Sequence, residues 1–207
     1  PWEDLSLEHV FSALMKWDCS LNHNHTDLTS LAFICFSKFD TVSINMCEFF
    51  EKGYANQLES FSLWWRKRNS CEMSKLFRAF NNGLCTKLTK LRLCAVEIRD
   101  ESPLWDTLCE GLCDLTELKI EKCSLTHRCI PNLCKALQDE RCQLTILSLR
   151  DNNIGDEGLS TLCEEALTKK HCKLTSLDLG DCSLSDVCIL SLVKALLNKD
   201  CKLISLS

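Results

Sequence analysis

The chain has 207 residues, of which 45% are apolar and 26% charged, and a net charge of −5. Such a chain can bury a substantial core, no apolar run is long enough to cross a membrane as a helix, and the acidic balance argues against a general nucleic-acid binder. Seventeen cysteines, an odd count with no C-x-x-C spacing, fit neither a disulfide framework nor a metal-binding one; they are expected to be reduced and packed as small apolar groups in a cytoplasmic protein.

In chain order, PWEDLSLEHVFSALMKWDC places acidic residues where a secretory signal would carry basic ones. Residues 5–19 set Phe11, Leu14 and Met15 on one helical face, the pattern of a repeat helix whose strand is missing. His23-Asn24-His25 follows in a loop with no converging cysteine or carboxylate, which makes a poor metal site. From Leu28 a unit recurs: LTSLAF at Leu28, LESFSL at Leu58, LTKLRL at Leu88, LTELKI at Leu115, LTILSL at Leu144, LTSLDL at Leu174 and LISLS at Leu203, with starts 30, 30, 27, 29, 30 and 29 residues apart. The last two apolar positions of L-x-x-L-x-L alternate as in a strand. A turn and an amphipathic helix follow, as in CIPNLCKAL (129–137), GLSTLCEEAL (158–167) and CILSLVKALL (188–197).

One strand and one helix cannot bury their apolar faces alone, so successive units must stack. A parallel strand with a right-handed helical return, repeated, makes a curved solenoid. Strands about 4.8 Å apart and helices roughly 8–10 Å apart put the sheet on the concave side and the helices on the convex side. The expected fold is therefore an α/β horseshoe.

These units resemble leucine-rich repeats of the ribonuclease-inhibitor-like class. LTELKIEKCSLTHRC, LTILSLRDNNIGDEG and LTSLDLGDCSLSDVC place Cys123, Asn152 and Cys182 at the ninth position, and Cys129, Gly158 and Cys188 six residues later. The resemblance implies that Cys-type and Asn-type repeats alternate, with the ninth side chain tucked under the turn. A buried bend needs a side chain that is small or that satisfies backbone groups. The earlier ninth positions, Phe36, Arg66 and Val96, depart from this pattern. The chain then reads as a single repeat domain: a partial repeat over 1–27, irregular repeats over 28–114, regular alternating repeats over 115–202, and the start of a further repeat at 203–207. Neither end carries a polar capping unit, as expected of a fragment, and no G-x-x-x-x-G-K-[ST] occurs, which places any nucleotide-binding engine outside these residues.

In SFSLWWRKRN, Phe61 and Leu63 face the core, so Trp64 belongs on the concave side beside Arg92, and Trp65 where the strand gives way to the turn. Exposed tryptophan and arginine are common interface anchors. Corresponding positions of later units carry Lys119, Glu121 and Lys122, then Ser148, Arg150 and Asp151, then Asp178 and Asp181, a wall expected to run from basic to acidic. Seven strands make it on the order of 29 Å wide, suited to a protein surface. Arg66-Lys67-Arg68 reads as a solvated turn. Cys35 and Cys94 are the only thiols near this wall, and no nucleophile has a partner base, so catalysis, metal and cofactor are not expected.

Alternating repeats rich in reduced cysteine are similar to the C-terminal sensor region of nucleotide-binding, leucine-rich-repeat innate immune receptors, the pyrin-containing branch above all. The resemblance implies a non-catalytic module that senses a ligand or folds back on the parent's own nucleotide-binding domain. Alternatives are a ribonuclease-inhibitor-like binder of a basic enzyme, needing a stronger acidic wall than Asp178 and Asp181, and a GTPase-regulating repeat module, needing an acidic tail.

Overall fold

The computed structural model describes residues 29–35, 55–65, 76–77, 80, 85–98, 102–110 and 114–207. Seven parallel strands form one sheet in sequence order: β1 (Ser30–Cys35), β2 (Ser60–Trp65), β3 (Lys90–Cys94), β4 (Glu117–Glu121), β5 (Ile146–Ser148), β6 (Ser176–Asp178) and β7 (Ser205–Leu206). Each starts at the third residue of its unit and pairs in register with the same position of the next, so the sequence repeat is also the sheet register. From β3 onward, helices α1 (Pro103–Glu110), α2 (Ile130–Gln138), α3 (Gly155–Leu162) and α4 (Ile189–Leu196) make the returns.

From Leu58 to Leu179, the first, fourth and sixth residues of each unit point inward and are at most 5% exposed, among them Phe61 and Leu63, Leu91 and Leu93, Leu118 and Ile120. Burying each contributes roughly 1.5–3 kcal/mol. Phe80 meets Phe61 edge-on at 6.2 Å and tilts against Phe77 at 6.2 Å, filling the core behind β2. Stacking is what shelters the helices. Ile130, Cys134 and Leu137 of α2 are at most 1% exposed, whereas their counterparts on the last helix, Ile189, Val193 and Leu196, are 43–51% exposed.

The returns differ in detail from the sequence pattern. Thr126 and Ser185 accept from the backbone N–H two residues on, and each opens a short 3₁₀ turn (His127–Cys129 and Asp186–Cys188) leading into its helix. The Asn-type unit has no such turn. Its helix starts at Gly155 rather than Gly158, and it ends in a π turn over Cys163–Leu167. Gly158 lies inside this helix, where a Cβ would come within 3.3 Å of the His127 backbone and the Ile130 side chain; the close approach explains glycine there.

Candidate functional site on the open face of the sheet

Alternation that buries two residues per strand turns their neighbours outward. Three rows result. The first carries Ser60, Lys90, Glu117, Ile146, Ser176 and Ser205; the second Ser62, Arg92, Lys119, Ser148 and Asp178; the third Trp64, Cys94 and Glu121. The first row does not show in the apolar alternation, which marks only the fourth and sixth residues of each unit. Two steps back along the alternation from Arg92 lead to Lys90.

Trp64 is 50% exposed on this face. Its cross-strand neighbour is Cys94, and Arg92 lies opposite Ser62, so Trp64 and Arg92 are diagonal neighbours rather than the adjacent pair the sequence suggested. Trp65 is the last residue of β2, opposite Cys35. Arg66-Lys67-Arg68, His23, His25, the helix expected over 5–19 and Phe36 lie outside the described residues.

The expected run from basic (Arg92) to acidic (Asp178) is softened, because salt bridges along and across the strands bring opposite charges together. Arg92 Nη2 donates to Glu121 Oε2 at 2.8 Å, and Ser148 Oγ donates to Glu121 Oε1 at 3.2 Å, leaving the Glu121 side chain 13% exposed. Lys119 reaches Glu117 at 2.6 Å. Arg150 and Asp181 lie past the strand ends, where Arg150 Nη2 donates to Asp181 Oδ2 at 3.0 Å. Between them Gly180 keeps the path open, since a Cβ there would meet Arg150 Nη1 at 2.9 Å. Asp178 Oδ1 accepts from the Gly180 N–H at 2.9 Å. Exposed pairs of this kind contribute about 0–1 kcal/mol each, so their main effect is to cancel charge locally.

Cys94 sits on this face yet is buried, and burial, reinforced by the Glu121 carboxylate, raises its thiol above the ordinary value. It is held protonated, which disarms it as a nucleophile.

Beneath the wall, the ninth residues bind the turns. Asn152 Oδ1 accepts from Cys123 N–H at 3.0 Å and Leu125 N–H at 3.1 Å, both in the preceding unit, while Nδ2 donates to Ile120 O and Leu149 O at 2.7 Å each. Cys123 Sγ donates to Glu121 O at 3.2 Å, and Cys182 Sγ to Leu149 O at 3.1 Å. A threonine ladder runs beside them: Thr89, Thr116, Thr145 and Thr175 each donate through Oγ1 to the second-residue carbonyl of the preceding unit at 3.1–3.2 Å. Its sequence signal is the recurring Leu-Thr opening of these units. In the units from Leu88 to Leu174 the eighth residue, Ala95, Lys122, Asp151 or Asp181, takes a left-handed conformation at φ +55° to +58°.

A parallel sheet in sequence order, helical returns and ninth-residue side chains bonded to buried turns define a leucine-rich-repeat solenoid. A Leucine Rich repeat family model matches residues 142–163 and 170–192. The repeats are similar to those of ribonuclease inhibitor from Mus musculus, 38% identical over 79 residues, which are 37% of this chain and 17% of that protein. They are also similar to NACHT, LRR and PYD domains-containing protein 3 from Rattus norvegicus, 35% identical over 101 residues, 46% of this chain and 10% of that one. For NACHT, LRR and PYD domains-containing protein 5 from Homo sapiens the figures are 35% over 103 residues, 49% and 8%. The match therefore spans no more than about a sixth of the length of these curated relatives.

Proposed function

We propose that this chain is a non-catalytic protein-binding module of a cytoplasmic innate immune receptor of the NOD-like, inflammasome-forming kind. Its open sheet face grips a protein ligand or the parent's own nucleotide-binding domain. The observation that supports this best is Trp64, a half-exposed aromatic standing on a sheet whose carboxylates are largely paired off. The face spans seven strands, suited to a macromolecule. Regulation follows if the ligand binds the released state better than the closed one. The ribonuclease-inhibitor-like alternative loses ground, because Arg150 already neutralises Asp181 and Gly180 occupies Asp178.

Photo-crosslinking residues placed at Ser62 and Asp178 on the open face, and at Lys135 on the helical side, test this reading in the full-length protein in cells. Crosslinks to a protein or to the parent's nucleotide-binding domain from the first two sites, and not from Lys135, are expected. Crosslinks from Lys135 alone would sink it.

A further inference from the structure

The polar groups around Trp64 divide sharply by kind, and the division specifies the partner's chemistry; the inference rests on the open face being the binding wall. The acceptors nearest the ring are largely consumed. Both oxygens of Glu121 are engaged, one by Arg92 and one by Ser148, and Glu117 is bridged to Lys119. The donors are not. Arg92 commits one nitrogen to Glu121 and its side chain stays 53% exposed. Lys90, two residues earlier on the same face, is exposed and has no carboxylate partner among the described residues. Cys94, between Trp64 and Glu121 in the third row, is a buried neutral thiol, a small floor beside the ring.

A partner that covers Trp64 must bring acceptors. One bringing cations would meet Arg92 and Lys90 while both oxygens of Glu121 are already engaged, and juxtaposed like charges cost several kcal/mol. Geometry sets the spacing. Trp64 and Arg92, diagonal on adjacent strands, are roughly 7–8 Å apart, and Lys90 is about 7 Å further along β3. An extended segment presents every second side chain about 7 Å apart on one face. We infer that the partner is an acidic protein segment in which an apolar or aromatic residue packs on Trp64, with aspartate or glutamate two to four residues away reaching Arg92 and Lys90. Phosphates would also supply acceptors, but a polyanion running along the wall would carry its charge past Arg92 and Lys90 to Asp178, four strands from Trp64, which a short acidic segment need not reach.

The test titrates the 207-residue chain with labelled twelve-residue peptides carrying a Leu-Trp pair flanked by aspartate and glutamate, by lysine, or by serine, and with a twelve-nucleotide oligo-dT, by fluorescence anisotropy. The acidic peptide is expected to bind about tenfold more tightly than the others, a difference of about 1.4 kcal/mol. Trp64→Ala, Lys90→Glu and Arg92→Glu should each weaken it at least about fivefold, and Arg92→Glu should shift preference toward the lysine peptide. Arg92→Gln, which keeps a donor to Glu121, separates charge from fold, with melting followed by circular dichroism. Preference for lysine peptide or oligo-dT overturns the inference. So does binding that is lost in Trp64→Ala but blind to charge, which leaves the binding wall intact. Peptide binding insensitive to every open-face substitution, or none at all, overturns both.

Discussion

Asn152 holds four backbone groups from two repeats with one amide, and no other residue type of its size can do so. Its oxygen faces two N–H groups and its nitrogen faces two carbonyls, all buried. Alanine there strands these groups. At roughly 1–3 kcal/mol for each unsatisfied buried group, partly relieved by water entering the gap, Asn152→Ala should cost about 3 kcal/mol. Asn152→Asp should cost at least as much, because a second oxygen would oppose the Ile120 and Leu149 carbonyls. Urea unfolding measures both, and a loss below about 1 kcal/mol would show that the turn is held by something else. Ala95 is the opposite case. It adopts φ +57° with a Cβ and no side-chain hydrogen bonding to compensate. The left-handed conformation costs an L-residue roughly 1–2 kcal/mol, more than the roughly 0.5–1 kcal/mol of extra chain entropy that glycine brings, so Ala95→Gly should raise stability by up to about 1 kcal/mol. Nothing in the sequence marks this position, since Ala95 and Lys122 lack the turn chemistry that Asp151 and Asp181 have.

Between elements, the start of α3 is tied to the return that leads into α4. Asp156 Oδ1 accepts from Ser185 N–H at 2.8 Å, its other oxygen accepts from the Ser185 hydroxyl, and that hydroxyl in turn accepts from Val187 N–H. The Ser185 hydroxyl, then its N–H, hold the Asp156 carboxyl below the ordinary aspartate value. A carboxyl whose folded pKa is depressed contributes stability above its unfolded pKa and loses it as pH falls through the folded one. The chain should therefore lose urea resistance on acidification below about pH 4, and Asp156→Asn should flatten part of that limb. An unchanged acid limb in the variant would mean that this tie contributes no pH-dependent stability. The same region shows why helix limits were harder to read than helix existence. Apolar spacing identified each helix face, but the early start at Gly155 and the closing π turn depend on how Gly158 meets the neighbouring unit, a tertiary matter.

At the scale of the molecule, the thirty-residue stride was legible because stacking forces the same inward positions in every unit, and leucine at three of them leaves a pattern that survives divergence. The pairing of wall charges was not legible. It depends on which side chains lean toward each other across strands, as Arg92 does toward Glu121, and strand order alone does not give that. The described cysteines bind these scales together, being spread along the stacked units and mostly buried rather than gathered at a site. Burial pushes the thiols of Cys123 and Cys134 up to about 12 and that of Cys163 up to about 11. Cys172 and Cys182 are raised by burial as well. A thiol whose folded pKa exceeds its unfolded value contributes stability that is complete below the unfolded pKa and is lost as pH rises through the folded one, because only the unfolded chain gains by ionising. With an unfolded thiol near 9, the folded chain should weaken steadily from about pH 9 to 11, before the buried thiols themselves ionise. Denaturation midpoints at about pH 7 and 10 measure the loss, and Cys163→Ala should reduce it while leaving its direction unchanged. Alkylation by iodoacetamide gives an independent reading: Cys123, Cys134 and Cys163 should react only as fast as the chain opens, with rates that track denaturant. Rapid labelling of these three in the native chain at neutral pH would mean that the thiols are not sealed between repeats, and that the stacked core does not close around them.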